Sequence, residues 1–160
     1  MAADPASVLT RLAVLQRLIL DPVTSLPLYA YDNPPYTLET GTMPLFVNYA
    51  GPLSDNKAMG SDAKGIDYQE TRQFFMVLYL AQYGQGIEGE KYGLCTPYFD
   101  LVYAKFGSYP HLNNLGGAMG SKIISDSGGA TVPFANQAYY GIRFVLQVMS
   151  RVRRTFAAGE

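Results

Sequence analysis

The chain of 160 residues contains a single cysteine, Cys95, and a single histidine, His111. One cysteine excludes an intrachain disulfide, and the two residues together cannot supply the usual zinc ligand set. A reducing compartment is allowed but not required. Charged residues are sparse at 16%, against about 25% in an ordinary globular chain. With few charges to cover its surface, the chain is expected to hide part of that surface against partners. A formal net charge of -1 gives no general basic field for tight nucleic-acid binding. The apolar runs are too short and too interrupted to span a bilayer, and the N-terminus has Asp4 and no basic leader. The chain therefore reads as a soluble protein with no signal peptide and no membrane partner. It contains no G-x-S-x-G, no P-loop, no internal repeat and no dividing linker, so a single domain over residues 1–160 is expected.

An apolar fraction of 48% supplies material for a core. The last long apolar run, Tyr139 to Arg151, has Tyr140, Ile142, Phe144, Leu146 and Val148 on one parity. The other parity, from Tyr139 through Arg143 and Gln147 to Arg151, is mixed and partly charged. That is the period of a strand with one face in a core. A helix could use Ile142, Val145, Leu146 and Met149, but aromatic and β-branched enrichment tips the reading to strand.

At the other end, Asp4-Pro5 pairs a capping oxygen with a residue that gives up no needed N–H, which predicts a helix start. Val8, Leu12, Leu15 and Ile19 recur on one face, with Arg11, Gln16 and Arg17 off it, and Asp21-Pro22 ends the helix after Leu20. Residues 23–42 are extended and irregular, with Tyr29, Tyr31 and Tyr36 among prolines. They form either a loop laid over the domain or an arm that docks on a neighbour. A short strand at Pro44–Ala50 and a longer one at Glu70–Ala81 suggest a hairpin. Between them, residues 51–69 are rich in Gly, Ser, Asp and Lys and read as a long projecting loop, mobile on its own. Its charges Asp55, Lys57, Asp62, Lys64 and Asp67 would then meet opposite charges on an adjoining molecule.

Thr96-Pro97 predicts a second helix, ending at Gly107, with Phe99, Val102, Tyr103 and Phe106 inward. A turn-rich stretch from Tyr109 to Gly120, a weak strand at Ser121–Ser125 and a glycine turn at Asp126–Gly129 follow. The result is an α+β chain in the order α-β-β-α-β-β. It has a mostly antiparallel sheet of about four strands and two main helices packed on one face.

Three patterns bear on chemistry. Gly84-Gln85-Gly86-Ile87-Glu88-Gly89 matches G-x-G-x-x-G after a strand. However, Glu88 and Glu90 would stand where a pyrophosphate must sit, and the secure helix start is at Thr96, so a plain glycine loop is the better reading. Cys95, His111 and Asn113 have the residue types of a thiol site, but closeness in sequence is no sign of one, and Cys95 reads as a small buried hydrophobe. Arg151, Arg153 and Arg154 close the last strand. They are either a solvated end or a contact for a neighbour's carboxylates or a phosphate. No catalytic, cofactor or metal residues are assigned.

Taken together, the opening helix Asp4–Leu20, the hairpin of Pro44–Tyr49 with Thr71–Tyr79, the helix Thr96–Gly107 and the closing strand Tyr140–Val148 resemble the tail terminator (tail-completion) proteins of long-tailed bacteriophages. The resemblance is one of element order and not of fingerprint residues. It implies a non-enzymatic virion protein of the tail and neck, assembled in the host cytoplasm. Such a protein forms a homo-oligomeric ring, a hexamer in that family, at the head-proximal end of the tail tube, stops tube growth and joins tail to head. The implied partners are the tail tube protein and a head–tail connector or stopper, with passive contact to DNA in the ring lumen and no cofactor. The alternatives are another neck component, such as a head-completion or stopper protein, and a small nucleotide-binding enzyme using the glycine loop or Cys95.

Overall fold

The computed structural model describes residues 4–83 and 88–156, residues 88–92 by backbone alone. Sheet dominates it, with six strands against two α-helices. The elements are α1 (Pro5–Gln16), β1 (Tyr29–Tyr31), a 3-10 turn (Thr40–Thr42), β2 (Leu45–Ser61), β3 (Gly65–Gln82), α2 (Glu88–Gly107), β4 (Ala118–Asp126), β5 (Ala130–Phe134) and β6 (Gln137–Thr155). All six strands belong to one sheet in the order β1-β2-β3-β6-β4, with β5 also on β6. Among the described residues only the β1–β2 pair is parallel.

This corrects the expected sheet of about four strands. β1 hides in the proline-rich segment because three residues are too few to show a period. β4 and β5 follow one another along the same edge of β6, interrupted at Ser127–Gly129. They are one edge strand with a break, and the glycine turn is that break. A two-residue turn at Ala135 and Asn136, both with positive φ, then folds β5 back onto β6, the backbone a tight hairpin requires. The third correction is the largest. Residues 51–69 are not a loop but the outer halves of β2 and β3 and the turn joining them.

The parity expected of the closing strand holds: Tyr140, Ile142, Phe144, Leu146 and Val148 are buried, and Arg143 and Arg151 on the other parity are exposed. The buried parity faces α1 and α2 in one core that includes Leu12, Phe46, Met76, Val102 and Phe144. Both helices lie on this face. The opposite face carries a smaller core in which Tyr79 meets Phe134 and Tyr139 edge-on, at centroid distances of 5.9 and 5.5 Å. Leu38 and Met43, from the segment ahead of β2, help close it. That segment is therefore partly a covering laid over the sheet.

The helices differ from expectation at their ends and faces. Asp4 caps α1 as expected, accepting from the Ser7 N–H at 2.7 Å. The α-helix ends at Gln16 and not at Leu20, and Leu18 and Ile19 continue in tighter i→i+3 bonds, a usual way to close a last turn. Gln16, expected off the apolar stripe, is fully buried. Its amide exchanges two hydrogen bonds of 2.7 Å with that of Asn48 on β2, and the Asn48 amide also donates to the Tyr31 carbonyl of β1 at 3.0 Å. This amide pair fastens helix, central strand and edge strand at one point.

α2 begins at Glu88, so Pro97 lies inside it and is not its first residue. The inward line is Cys95, Tyr98, Val102 and Phe106, about one residue round from the expected face. Phe99 is only half-buried, and Tyr103 is turned outward to donate to Asp126 of β4 at 2.7 Å. Burial, and after it the charge and hydrogen bond of Asp21 just beyond α1, raise the Tyr98 hydroxyl pKa well above normal.

Two stability measurements follow. Phe144→Ala should cost about 3–5 kcal/mol in chemical denaturation, and Arg143→Ala far less; an equal loss would reverse the assignment of faces. Gln16→Leu should cost about 1–3 kcal/mol, because it leaves the buried Asn48 amide short of a partner. The double variant Gln16→Leu/Asn48→Leu should recover part of that loss.

Candidate assembly surfaces

The most distinctive feature is the tongue made by the outer halves of β2 and β3. It is a three-stranded structure, because β6 runs beside β3 as far as the pair Gly65 with Thr155. A close approach fixes Gly65: a Cβ there would lie 2.5 Å from the Arg154 carbonyl oxygen. At the tip, an Asp62 carboxylate oxygen accepts from the backbone N–H groups of Lys64 (2.7 Å) and Gly65 (3.1 Å), so the turn is closed locally by a side chain.

Period-2 alternation gives the tongue two unlike faces. On the face away from the helices lie Asp67 and Gln69 of β3 with Arg151 and Arg153 of β6. Arg153 donates through one nitrogen to both oxygens of Asp62, at 2.6 and 2.7 Å, and approaches Asp67 at 3.4 Å; Arg151 lies 3.6 Å from Asp67. On the helix-side face, Arg154 pairs with Glu70 and lies over the Tyr68 ring at 5.8 Å. Ile66, Tyr68 and Val152 on that face are half-buried and belong to neither core. One face is stitched by charge. The other is partly apolar and lies beyond the core that the helices cover.

The structure thus brings together four of the residues singled out in sequence, Asp62, Asp67, Arg151 and Arg153, while Arg154 pairs with Glu70 on the other face. It joins them within one chain, whereas the sequence suggests loop acids that meet a neighbour and arginines that form either a solvated end or a contact for a neighbour's carboxylates or a phosphate. Asp55, Lys57 and Lys64 are exposed, and no ion pair engages them among the described residues. Sequence inspection missed the register that sets Asp67 beside Arg153. Asp67 lies in the segment that reads as a loop, and nothing in its small polar neighbours marks the start of β3 at Gly65.

The three tyrosines separate. Tyr36 is 99% exposed and Tyr29 largely so, while Tyr31 packs on the smaller core. The first two remain on the surface, and the third belongs to the covering.

The residues weighed for chemistry do not converge. Cys95 is buried under α2, where desolvation raises its thiol pKa, the opposite of what a reactive thiolate needs. His111 and Asn113 lie at the surface in the turn after α2. There Leu112, Asn113 and Asn114 have φ of 52°, 54° and 59°, and the Arg11 guanidinium of α1 holds the Leu112 and Asn113 carbonyls at 3.0 and 2.6 Å. Residues 84–87 of the glycine motif lie outside the described residues, and Glu88 and Gly89 fall in α2. Among the described residues no group of three His, Cys, Asp or Glu could hold a metal, and no helix is long and apolar enough to cross a membrane.

No protein-family model matches this chain, and no curated protein matches it.

The stitched face sets a salt and pH dependence. Asp62 has its pKa lowered below the usual 3.8, first by its hydrogen bond with Arg153 and then by the Lys64 backbone. A depressed carboxylate pKa means the contact is complete above the unfolded value and is lost as pH falls through the lower folded one. In NMR, the Arg153 side-chain Nε–H signal should therefore be constant from pH 8 to about 4 and move only below that. In Arg153→Ala, trypsin should cut after Lys57 and Lys64 several-fold faster, with little change in melting temperature.

Proposed function

We propose that this protein is a structural, non-enzymatic assembly protein that forms a ring at the head-proximal end of a phage tail tube, stops tube growth and joins the tail to the head. The observation that carries this reading is the tongue. It extends the sheet past the helix-covered body, is ordered within its own chain, and bears different chemistry on its two faces. A projection of that kind suits engagement with an adjoining ring, because a terminator must bind the last ring of a tube without offering a surface that binds another. The order of the larger elements supports the same reading. Helix, long hairpin, helix and closing hairpin run as α1, β2–β3, α2 and the broken β4/β5 strand with β6.

In this reading the partners are further copies of the chain, the tail tube protein and a head–tail connector or stopper. The free charges Asp55, Lys57 and Lys64 on the tongue, and the exposed Tyr29 and Tyr36 at the other end of β2, are the contact residues. DNA passes the ring without a dedicated site, and no cofactor takes part. The protein works in the virion neck after assembly in the host cytoplasm.

Two measurements test this. Mass photometry and negative-stain images of the purified protein should show a closed ring of about six copies, as in the family it resembles. Replacing residues 54–69 by a Gly-Ser turn removes none of the core side chains, so circular dichroism should still report a folded sheet. Tails assembled with that variant should be overlong or lack heads. Tails of normal length carrying heads would overturn the proposal.

A further inference from the structure

On the sheet face away from the helices, between the smaller core and the tongue, lies a cleft of about 300 Å³ lined by Tyr49, Phe75, Tyr79, Val132, Pro133 and Arg143. We propose that this cleft binds a single carboxylate side chain, Asp or Glu, presented on an extended segment of a partner protein.

Arg143 carries the inference. Its guanidinium lies 4.0 Å from the centroid of the Phe75 ring, so the ring covers one side of the cation and leaves its edge open. The sheet fixes this pose from both strands. The Arg143 N–H donates to Ser127 Oγ at 3.0 Å and its carbonyl accepts from the Ser127 N–H at 2.9 Å. Ser127 is the break between β4 and β5, which leaves the edge beside Arg143 without a regular strand neighbour. Phe75 is seated by Gly51, where a Cβ would lie 2.8 Å from the ring. The support beneath the cation is thus one aromatic ring seated against backbone at Gly51, with the Arg143 main chain held by Ser127.

The charge is uncompensated. Arg151, Arg153 and Arg154 each pair with an acid of their own chain, but among the described residues no carboxylate lies within ion-pair distance of Arg143. An arginine stacked on an aromatic ring retains its forked N–H edge for a planar, two-oxygen acceptor.

The walls choose the class of anion. Val77, Val132 and Pro133 are apolar. Tyr79 donates to the Pro133 carbonyl at 3.2 Å, and burial keeps its hydroxyl protonated. One cation in an apolar setting suits a monoanion with a hydrocarbon stem. A phosphodiester track needs repeated free cations; on this face Arg151 and Arg153 are engaged by Asp62 and Asp67, and Lys122 lines a separate cleft with Gln147 and Met149. Aromatic and arginine residues around a shallow apolar centre are also the usual makings of an energetic centre in a protein interface. The site does not depend on the proposed ring and can be tested on the isolated chain.

The experiment is an NMR titration of the full chain with the capped tripeptide Ac-Val-Glu-Val-NH2, its glutamine analogue, and an eight-residue oligothymidylate. The glutamate peptide should move the Arg143 Nε–H and the Tyr49 and Phe75 ring signals saturably. The glutamine peptide should bind about tenfold more weakly, the scale of one charge-assisted contact. Arg143→Ala, at an exposed position, should keep the fold and lose the response. Equal affinity for the two peptides, no saturable shift, or tighter binding of the oligothymidylate at these signals would each overturn the proposal. The comparison of the two peptides needs no variant and stands even if Arg143→Ala misfolds.

Discussion

The pairing of β3 with β6 is the constraint on which everything else rests. It runs from Gly65 with Thr155 at the tip to Gln82 with Tyr139 at the base, with one irregularity near Leu80. Because side chains alternate, this single register decides both faces at once. It places Phe74, Met76 and Leu78 beside Phe144, Leu146 and Ile142 under the helices. It also places Asp67 and Gln69 beside Arg153 and Arg151 on the tongue. A slip of one residue would turn core side chains outward and at the same time part the tongue's arginines from its acids. Core and tongue are therefore parts of one ladder.

The Gln16–Asn48 pair then sets where α1 sits on that ladder. Apolar packing alone lets a helix slide along a sheet at modest cost, whereas a buried reciprocal amide pair is satisfied in one position only. The third donation, from Asn48 to the Tyr31 carbonyl, brings the parallel strand β1 to the same point. Arg11 acts similarly at the other side of α1, fastening the left-handed turn after α2 by two carbonyls.

Much of the body was legible in the sequence because its periods are clean: the Tyr140/Phe144/Val148 parity, the Asp4 cap and the inner hairpin all stand where the pattern puts them. The tongue was not legible, for a physical reason. Its residues are mostly small and polar, and Ile66 and Tyr68 are too short an alternation to mark a strand, so what orders them is register with a distant strand. The same holds for β1 and β5, which exist because a neighbour offers an edge. Gln16 was misread because an amide on the rim of an apolar stripe is normally solvated, and only the facing Asn48 makes its burial tolerable. The glycine motif falls partly outside the described residues. The free cation of Arg143 is invisible in sequence, since nothing there shows which arginines find an acid.

The ladder through β6 also has a consequence for how the tongue meets anything. A disordered excursion of this size would lose about 1–2 kcal/mol of backbone freedom per residue on being ordered, and its association would show the large negative heat-capacity change of coupled folding. Here that ordering belongs to folding itself, because residues 149–155 of the same chain hold the hairpin in place. Contact through the tongue is then a rigid-body event. Its heat capacity reflects only the surface covered, and its rate is set by encounter and not by a search among loop conformations.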